Sequence, residues 1–214
     1  MSQNGRDFAL HLGELVASWP VPVQELVIIG HSMGGLVTRS ACHQGTGQPW
    51  LRLLTQLVFL GTPHHGAPLE RGGRLVDTLL AISPYAAPLA RLGQARSAGI
   101  TDLRYGNLQD ADWQRHPSRH HQARDDRQPT PLPEGVATHV VAATTAAQVG
   151  NLRSRTLGDG LVPLGSALGE HRDPALSLQL PEGHRLVVTG ANHWDLLSRA
   201  DVYASLRAWL RHKG

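Results

Sequence analysis

A serine between two glycines is the feature of this chain that most directly indicates chemistry. Gly30, His31, Ser32, Met33 and Gly34 form a Gly-x-Ser-x-Gly pattern. A serine hydroxyl is a weak nucleophile until a base removes its proton, and a sharp turn from a strand into a helix exposes the hydroxyl to that base. The pattern therefore predicts a nucleophilic serine that would form an acyl-enzyme.

The residues around this serine have predicted roles of their own. Because the turn crowds the positions two before and two after the serine, both must be small, as Gly30 and Gly34 are. The N–H of Met33 begins the next helix and is predicted to be one donor of an oxyanion hole. Gly35 is expected to allow close packing of helix on sheet, and His31 is expected to pack or form a hydrogen bond nearby rather than act as the base.

An acid and a histidine must follow the serine, each in a loop beyond a later strand. Asp159 follows the third predicted strand, and Gly158 and Gly160 let the backbone bend to present its carboxylate. His193 follows the last predicted strand. We therefore expect His193 Nε2 to accept the proton of Ser32, and Asp159 to hold the Nδ1–H of the imidazole.

Other acids and histidines compete for these roles. His64 and His65 follow the second predicted strand and are expected to line the floor of the site or orient its loop. Asp195 is expected to be a surface or supporting group, and Asp173 lacks the glycine setting. The remaining rival acids lie in a predicted helix or in the central insertion: Asp77, Asp102, Asp110 and Asp112.

The elements that must position these residues alternate along the chain. Four short apolar runs predict strands, at residues 26–29, 57–60, 139–145 and 186–189. Helices are predicted at residues 3–18 and 33–43 and at the C-terminal end, where an apolar stripe comprises Val202, Leu206, Trp209 and Leu210. This alternation indicates a doubly wound α/β sheet, with the first strand buried on both faces. A strand before the serine and a helix after it favour a nucleophile elbow over a phosphate-binding glycine turn or a simple connection.

The 214 residues are predicted to form a single domain. Its core comprises residues 1–66 and 135–214, and residues 67–134 form an insertion expected to be a cap or lid. The first part of the insertion, residues 75–92, is predicted to be helical. Residues 116–133 are polar and are predicted to form an exposed loop.

The composition excludes several other classes of protein. The formal net charge is +3, and the basic residues are scattered, so no nucleic-acid surface is expected. The single Cys42 excludes an intramolecular disulfide and is predicted to be buried on the helix after the serine. No apolar run approaches the roughly 20 residues of a membrane span, and no signal peptide is visible. No cofactor is expected and no ligand cluster predicts zinc or calcium, since packing or a solvated loop is favoured for the four candidate histidines: His64, His65, His120 and His121.

Four segments together resemble the bacterial triacylglycerol lipases and the related GPI-inositol-deacylase-like α/β-hydrolases. In chain order they are residues 30–35 (GHSMGG), 61–66 (GTPHHG), 159–162 (DGLV) and 192–195 (NHWD). The resemblance implies an α/β-hydrolase with a mostly parallel sheet flanked by helices, and ester hydrolysis with Ser32, Asp159 and His193 as the triad. It also implies that the insertion covers the site, and that the substrate is a small-molecule or lipid ester.

The chain departs from that family before the serine. The family pattern has earlier strands and a His-Gly loop there, whereas this chain reaches Ser32 after one predicted helix and one predicted strand. We therefore expect an N-terminally truncated α/β-hydrolase in which strand 26–29 is an exposed apolar edge and the second oxyanion donor is missing. The cytoplasm is the default location, but a lost N-terminal segment would take any signal peptide with it, so location and oligomeric state stay open.

Carboxylic-ester hydrolysis is the function that these observations predict. A thioesterase, an amidase or an acyltransferase would use the same triad, because all of them form an acyl-enzyme. The departure before Ser32 keeps one further alternative open, a catalytically impaired or non-catalytic hydrolase fragment.

Overall fold

A computed structural model describes most of the chain. The described residues are 1–67, 98–114, 125, 127–148 and 158–211. The predicted helix at residues 75–92 lies outside them, as do residues 116–124 and 126 of the predicted polar loop. The division into a core and a lid therefore stays a prediction.

Helices and strands alternate through the described residues. In chain order they are α1 (Ser2–Ser18), β1 (Leu26–His31), α2 (Met33–Gln44), a 3-10 turn (Pro49–Arg52), β2 (Leu54–Leu60), α3 (Ala98–Tyr105), α4 (Ala111–Gln114), β3 (Ala137–Thr144), α5 (Leu164–Ala167), β4 (Arg185–Thr189), a second 3-10 turn (Asp195–Leu197) and α6 (Ala200–Arg211). All four predicted strands and the three predicted helices outside the insertion are present, because each has a strong apolar period of its own.

The four strands of the described residues form one sheet in the order β1-β2-β3-β4, and every neighbouring pair is parallel. The carboxyl ends of parallel strands lie at the same edge of a sheet. Ser32 follows β1 and His193 follows β4, so both start from that edge. The predicted parallel α/β sheet flanked by helices is confirmed.

Each face of the sheet packs on its own hydrophobic cluster, as the two-residue period of a strand requires. On one face Leu57 of β2 packs with Leu12 of α1 and Cys42 of α2. On the other face Val58 packs with Val202 of α6. The predicted burial of Cys42 is confirmed, and burial raises the pKa of its thiol to about 12, which keeps it neutral.

β1 is an edge strand of this sheet. Within the described residues it pairs with β2 alone, so the predicted apolar edge is confirmed. The prediction that both its faces are buried is wrong, because Ile29 is 47% exposed. Ile29 lies beside Val58 on the face that α6 covers, and the cluster under α6 contains no residue of β1.

α6 packs on the sheet through three of its four predicted stripe residues. Val202, Leu206 and Trp209 contact the second cluster, whereas Leu210 is 38% exposed, so its place in the stripe is wrong. Residues three and four apart share a helix face, but position 210 lies about 100° further round the helix than position 209.

Two buried arginines tie residues 127–130 to other parts of the described chain. Arg39 of α2 donates to the carbonyl oxygen of Thr130 at 2.7 Å. Arg127 donates to the carbonyl oxygens of Gly106 at 2.9 Å and His64 at 3.2 Å. Arg127 and Thr130 are both buried, so the prediction of an exposed loop is wrong for this part of the segment. Backbone carbonyls accept from both guanidinium groups, and the carboxylate of Asp125 also accepts from Arg127 at 2.6 Å, which offsets the cost of burying the charge.

His139 of β3 is held neutral by its surroundings. Its ring stacks on His184 and on Trp209, with centroids 4.2 and 4.4 Å away. Burial, and after it the charge of His184, lowers the pKa of His139 to about 4. An unfolded chain would protonate this histidine near pH 6.5.

This difference predicts that acid destabilises the fold through His139. Between about pH 6.5 and pH 4 the unfolded chain binds a proton that the folded chain does not, so the free energy of unfolding falls as the pH falls, by up to about 1.4 kcal/mol per pH unit. His139→Phe keeps a stacking ring and removes the titration, so urea unfolding should depend less on pH in this window. His11→Phe, at an exposed position, is the control. An equal change of slope in both variants would contradict the prediction.

Candidate active site

Ser32 occupies a sharp turn between β1 and α2. Its backbone has φ 53° and ψ −126°, and it is the one non-glycine residue with positive φ in the described ranges. Its N–H donates to Leu60 at 2.9 Å, and its carbonyl accepts from the N–H of Gly35 at 3.1 Å. This is the geometry of a nucleophile elbow, whose strain is on the order of 1–3 kcal/mol.

The glycines around Ser32 do not contribute equally to the elbow. A Cβ on Gly30 would lie 2.8 Å from the Cα of Gly35, and a Cβ on Gly35 would overlap the side chain of Thr62. A Cβ on Gly34 would meet nothing within 4 Å. The expectation that position 34 must be small is therefore wrong, because Gly30 and Gly35 make the contact between helix and sheet.

Met33 begins α2 directly after the serine. The first N–H groups of a helix have no acceptor within the helix, so the N–H of Met33 is available to an external acceptor. Its assignment to an oxyanion hole stays a prediction.

Asp159 and His193 form a buried pair. The Nδ1 of His193 lies 2.6 Å from the Oδ2 of Asp159, and the two residues are 1% and 2% exposed. The other carboxylate oxygen accepts the N–H groups of Leu161 at 2.9 Å and Val162 at 2.8 Å. Hydrogen bonds therefore hold the carboxylate at both of its oxygens. Its bond to the Nδ1–H of the imidazole is charge-assisted.

Local turns build the loops that carry this pair. Gly158 has φ 52°, and a Cβ there would overlap the carbonyl oxygen of Val162, so the residue before Asp159 must be glycine. In the other loop, the side chain of Asn192 accepts the N–H of Trp194 at 2.9 Å. Asp195 accepts the N–H of Asn192 at 2.8 Å, which makes it a supporting group of this loop.

The imidazole of His193 lies against Gly61. A Cβ on Gly61 would lie 3.0 Å from the Cε1 of His193. The Nε2 of His193 is buried and has no hydrogen-bond partner among the described residues, Ser32 included. Bonds between a nucleophile and its base are often long without substrate and shorten when substrate binds. The structure thus joins Asp159 to His193 and leaves Nε2 free to accept a proton.

His31 connects this pair to the elbow. Its Nε2 lies 3.3 Å from the carbonyl oxygen of His193, and the two ring centroids are 4.7 Å apart. Burial, and after it the nearby His193, lowers the pKa of His31 to about 4. Trp194, which the sequence reasoning did not single out, packs edge-on against His193 at 5.5 Å. Its position directly after His193 in the sequence could have indicated this contact.

His64 and His65 belong to a different cluster. With Arg39 and Arg127 they line a cavity of about 20 Å³ whose lining includes neither Ser32 nor His193. The Nδ1 of His64 lies 3.5 Å from Arg39, and the Nδ1 of His65 accepts from Arg127 at 3.2 Å. Burial lowers the pKa of both histidines, that of His65 to about 3. They hold the loop after β2, and their predicted place on the floor of the site stays a prediction.

Several of the rival acids have structural partners elsewhere, and Asp102 forms a buried ion pair with the N-terminal amine of Met1. Asp110 forms an ion pair with Arg6 of α1 at 2.8 Å. Asp112 accepts the N–H groups of Leu108 and Gln128, both at 2.9 Å. These bonds give each carboxylate a structural role away from His193.

Two larger cavities lie away from Ser32. Their volumes are about 460 and 470 Å³, and both are lined by Pro131, Leu132 and Pro133. Ala137, the first residue of β3, lines the first, which therefore opens at the amino ends of the strands. Ser32 and His193 follow the carboxyl ends, so we assign neither cavity to the site.

The described residues include neither a metal-ligand cluster nor a helix that could span a membrane. Among them no three His, Cys, Asp or Glu side chains are placed to hold one metal ion. The candidate ligands His120 and His121 lie outside the described ranges. None of the described helices combines the length and the apolar character needed to cross a bilayer.

Comparison with known proteins adds a family and a fold. The profile of a family described as the PGAP1-like α/β domain matches residues 13–122. No curated protein sequence matches this chain significantly.

Solved structures of three bacterial proteins are similar to this chain. The mature lipase BlEst2 from Bacillus licheniformis has a TM-score of 0.50 and 18% identity, over 98% of this chain and 73% of that one. EstA from Clostridium botulinum has a TM-score of 0.55 and 13% identity, over 87% and 64%. The product of the gene lin2722 from Listeria innocua has a TM-score of 0.52 and 12% identity, over 99% and 67%. These likenesses show the α/β-hydrolase fold.

The unequal glycines predict opposite effects of the same substitution at adjacent positions. Gly35→Ala forces α2 away from Thr62 and should lower the free energy of unfolding by about 1–3 kcal/mol. Gly34→Ala, in open space within the helix, should leave stability unchanged or raise it by up to about 1 kcal/mol. Urea unfolding of both variants measures the difference. Equal destabilisation would show that the helix does not approach the sheet as described.

Proposed function

The chain belongs to the PGAP1-like α/β domain family, and from that premise we propose that it is a serine hydrolase that cleaves carboxylic esters. The observation that carries the proposal is the buried hydrogen bond between Asp159 and His193, with Nε2 left unpartnered. The strained backbone of Ser32 supports it, because a hydroxyl on such a turn is presented to a base.

In the proposed reaction the Oγ of Ser32 attacks the carbonyl carbon of the ester, and the Nε2 of His193 takes the hydroxyl proton. The carboxylate of Asp159 keeps the other imidazole proton on Nδ1 and stabilises the imidazolium that forms. The N–H of Met33 donates to the oxyanion of the tetrahedral intermediate. His193 then protonates the departing alkoxide. In the second half of the reaction Nε2 takes a proton from water, the hydroxide attacks the acyl carbon, and His193 returns the proton to the Oγ of Ser32 as the acid leaves.

The proposed substrate is a small-molecule or lipid ester. A thioester or an acceptor alcohol would use the same acyl-enzyme, so the nucleophile itself does not separate a hydrolase from a thioesterase or an acyltransferase.

A fluorophosphonate probe tests the nucleophile. We expect the purified chain to be labelled covalently and Ser32→Ala to abolish labelling, because the probe needs an activated serine. Ser18→Ala is the matched control, since Ser18 is exposed at the end of α1. Folded protein that remains unlabelled would refute the proposal, and a series of p-nitrophenyl esters then ranks the preferred acyl chain.

The role of Asp159 is tested by changing its charge but not its shape. In Asp159→Asn the amide donates to Nδ1, which moves the imidazole proton to Nε2 and prevents it from accepting the serine proton. We expect kcat to fall by about 10⁴-fold with the fold retained. Asp173→Asn, at an exposed rival acid, should leave kcat unchanged. The reverse ranking of the two variants would assign the acid to Asp173.

A further inference from the structure

His31 is the last residue of β1 and directly precedes Ser32. Its Nε2 lies 3.3 Å from the backbone carbonyl oxygen of His193, a residue 162 positions further along the chain. A carbonyl oxygen only accepts, so the Nε2 of His31 carries the proton and Nδ1 is the unprotonated nitrogen. The side chain of the residue before the nucleophile thus donates to the backbone of the proposed base.

The loop that carries His193 is tied to β3 at its start, where the N–H of Ala191 donates to the carbonyl oxygen of Thr144 at 3.0 Å. From Asn192 to Asp195 its backbone hydrogen bonds are local, so the bond from His31 is a long-range restraint on the backbone at His193 itself. Asn192 and Asp195 bond to N–H groups within three residues of themselves. No backbone N–H among the described residues donates to the carbonyl of His193. Asp159 restrains the imidazole at Nδ1, and the bond from His31 restrains the backbone of the same residue.

We propose that His31 is a positioning residue for His193: its Nε2–H holds the carbonyl of His193, and its ring packs beside the imidazole. Together these contacts fix the loop of the base against the strand that ends at Ser32. The inference rests on the proposed function, because it assigns to His31 a task within that reaction. His31 touches neither the substrate nor the reacting atoms in this role.

The proposed reaction requires that His193 be held at a defined distance from Ser32. A general base must lie within about 2.6–3.2 Å of the atom whose proton it takes. A displacement of about 1 Å can lower the rate by about a hundredfold. Two bonds from different directions, Asp159 at the ring and His31 at the backbone, define the position of Nε2 better than either bond alone.

A neutral donor also suits this place. Burial holds the pKa of His31 at about 4, so the ring is uncharged when His193 works near neutral pH. A charged side chain 4.7 Å away would oppose the imidazolium that forms on His193. An uncharged hydrogen-bond donor positions the base without this repulsion.

Three substitutions separate the hydrogen bond from the packing. His31→Gln places an amide N–H where the Nε2–H of histidine lies, and it removes the ring. His31→Phe keeps a ring of similar size and removes the donor. His31→Asn carries a donor that reaches only the position of Nδ1, so it cannot bond to the carbonyl of His193.

The experiment measures kcat and KM with p-nitrophenyl acetate and the rate of fluorophosphonate labelling, with thermal melts to establish that each variant folds. We expect His31→Phe and His31→Asn to lower kcat and the labelling rate by about 10- to 100-fold with KM unchanged. His31→Gln should restore kcat to within about threefold of the unmodified chain. His43→Phe, at an exposed histidine outside the site, is the control.

Two outcomes overturn the inference while the proposed function stands: wild-type kcat in His31→Phe, or equal loss in His31→Gln and His31→Phe. Absence of Ser32-dependent labelling in the unmodified chain instead removes the proposed function. Nitrogen-15 NMR then still tests the contact, since the Nδ1–H signal of His193 should broaden in His31→Phe and stay sharp in His31→Gln. Equally sharp signals in both would overturn the contact itself.

Discussion

The close approach of α2 to the sheet is the constraint on which the rest of the site depends. Gly30 and Gly35 lie in backbone contact, so no side chain separates the helix from β1, and the side chain of Thr62 packs directly on the backbone of Gly35. Because helix and strand lie so close together, the chain must turn from β1 into α2 within a single residue. Ser32 makes the turn with φ 53°, and the packing of helix on sheet offsets the strain.

Short-range hydrogen bonds organise each of the two loops that follow β3 and β4. Asp159 bonds to the backbone two and three residues ahead of it, and Asn192 and Asp195 close the turn around His193. Each loop therefore presents one side chain in a defined direction. Their meeting is a single buried bond of 2.6 Å, whose strength depends on the exclusion of water around it.

Burial divides the thirteen histidines of the chain into groups with different chemistry. His31, His64, His65 and His139 have lowered pKa values, chiefly because the interior penalises the charged form. These four serve as neutral donors, acceptors or stacking rings. Arg39 and Arg127 are charged side chains that stay buried, and both donate to backbone carbonyls, a geometry that suits the guanidinium group.

The sequence by itself determined the order of the elements, the elbow at Ser32 and the pairing of Asp159 with His193. Strand and helix periods and the place of a loop after a strand are local properties that a single chain displays. Tertiary structure alone decided that Gly34 is unconstrained, that Arg127 is buried and that His31 bonds to His193. The last two outcomes depend on atoms 63 and 162 residues away along the chain, which come close only when the sheet has brought the loops together.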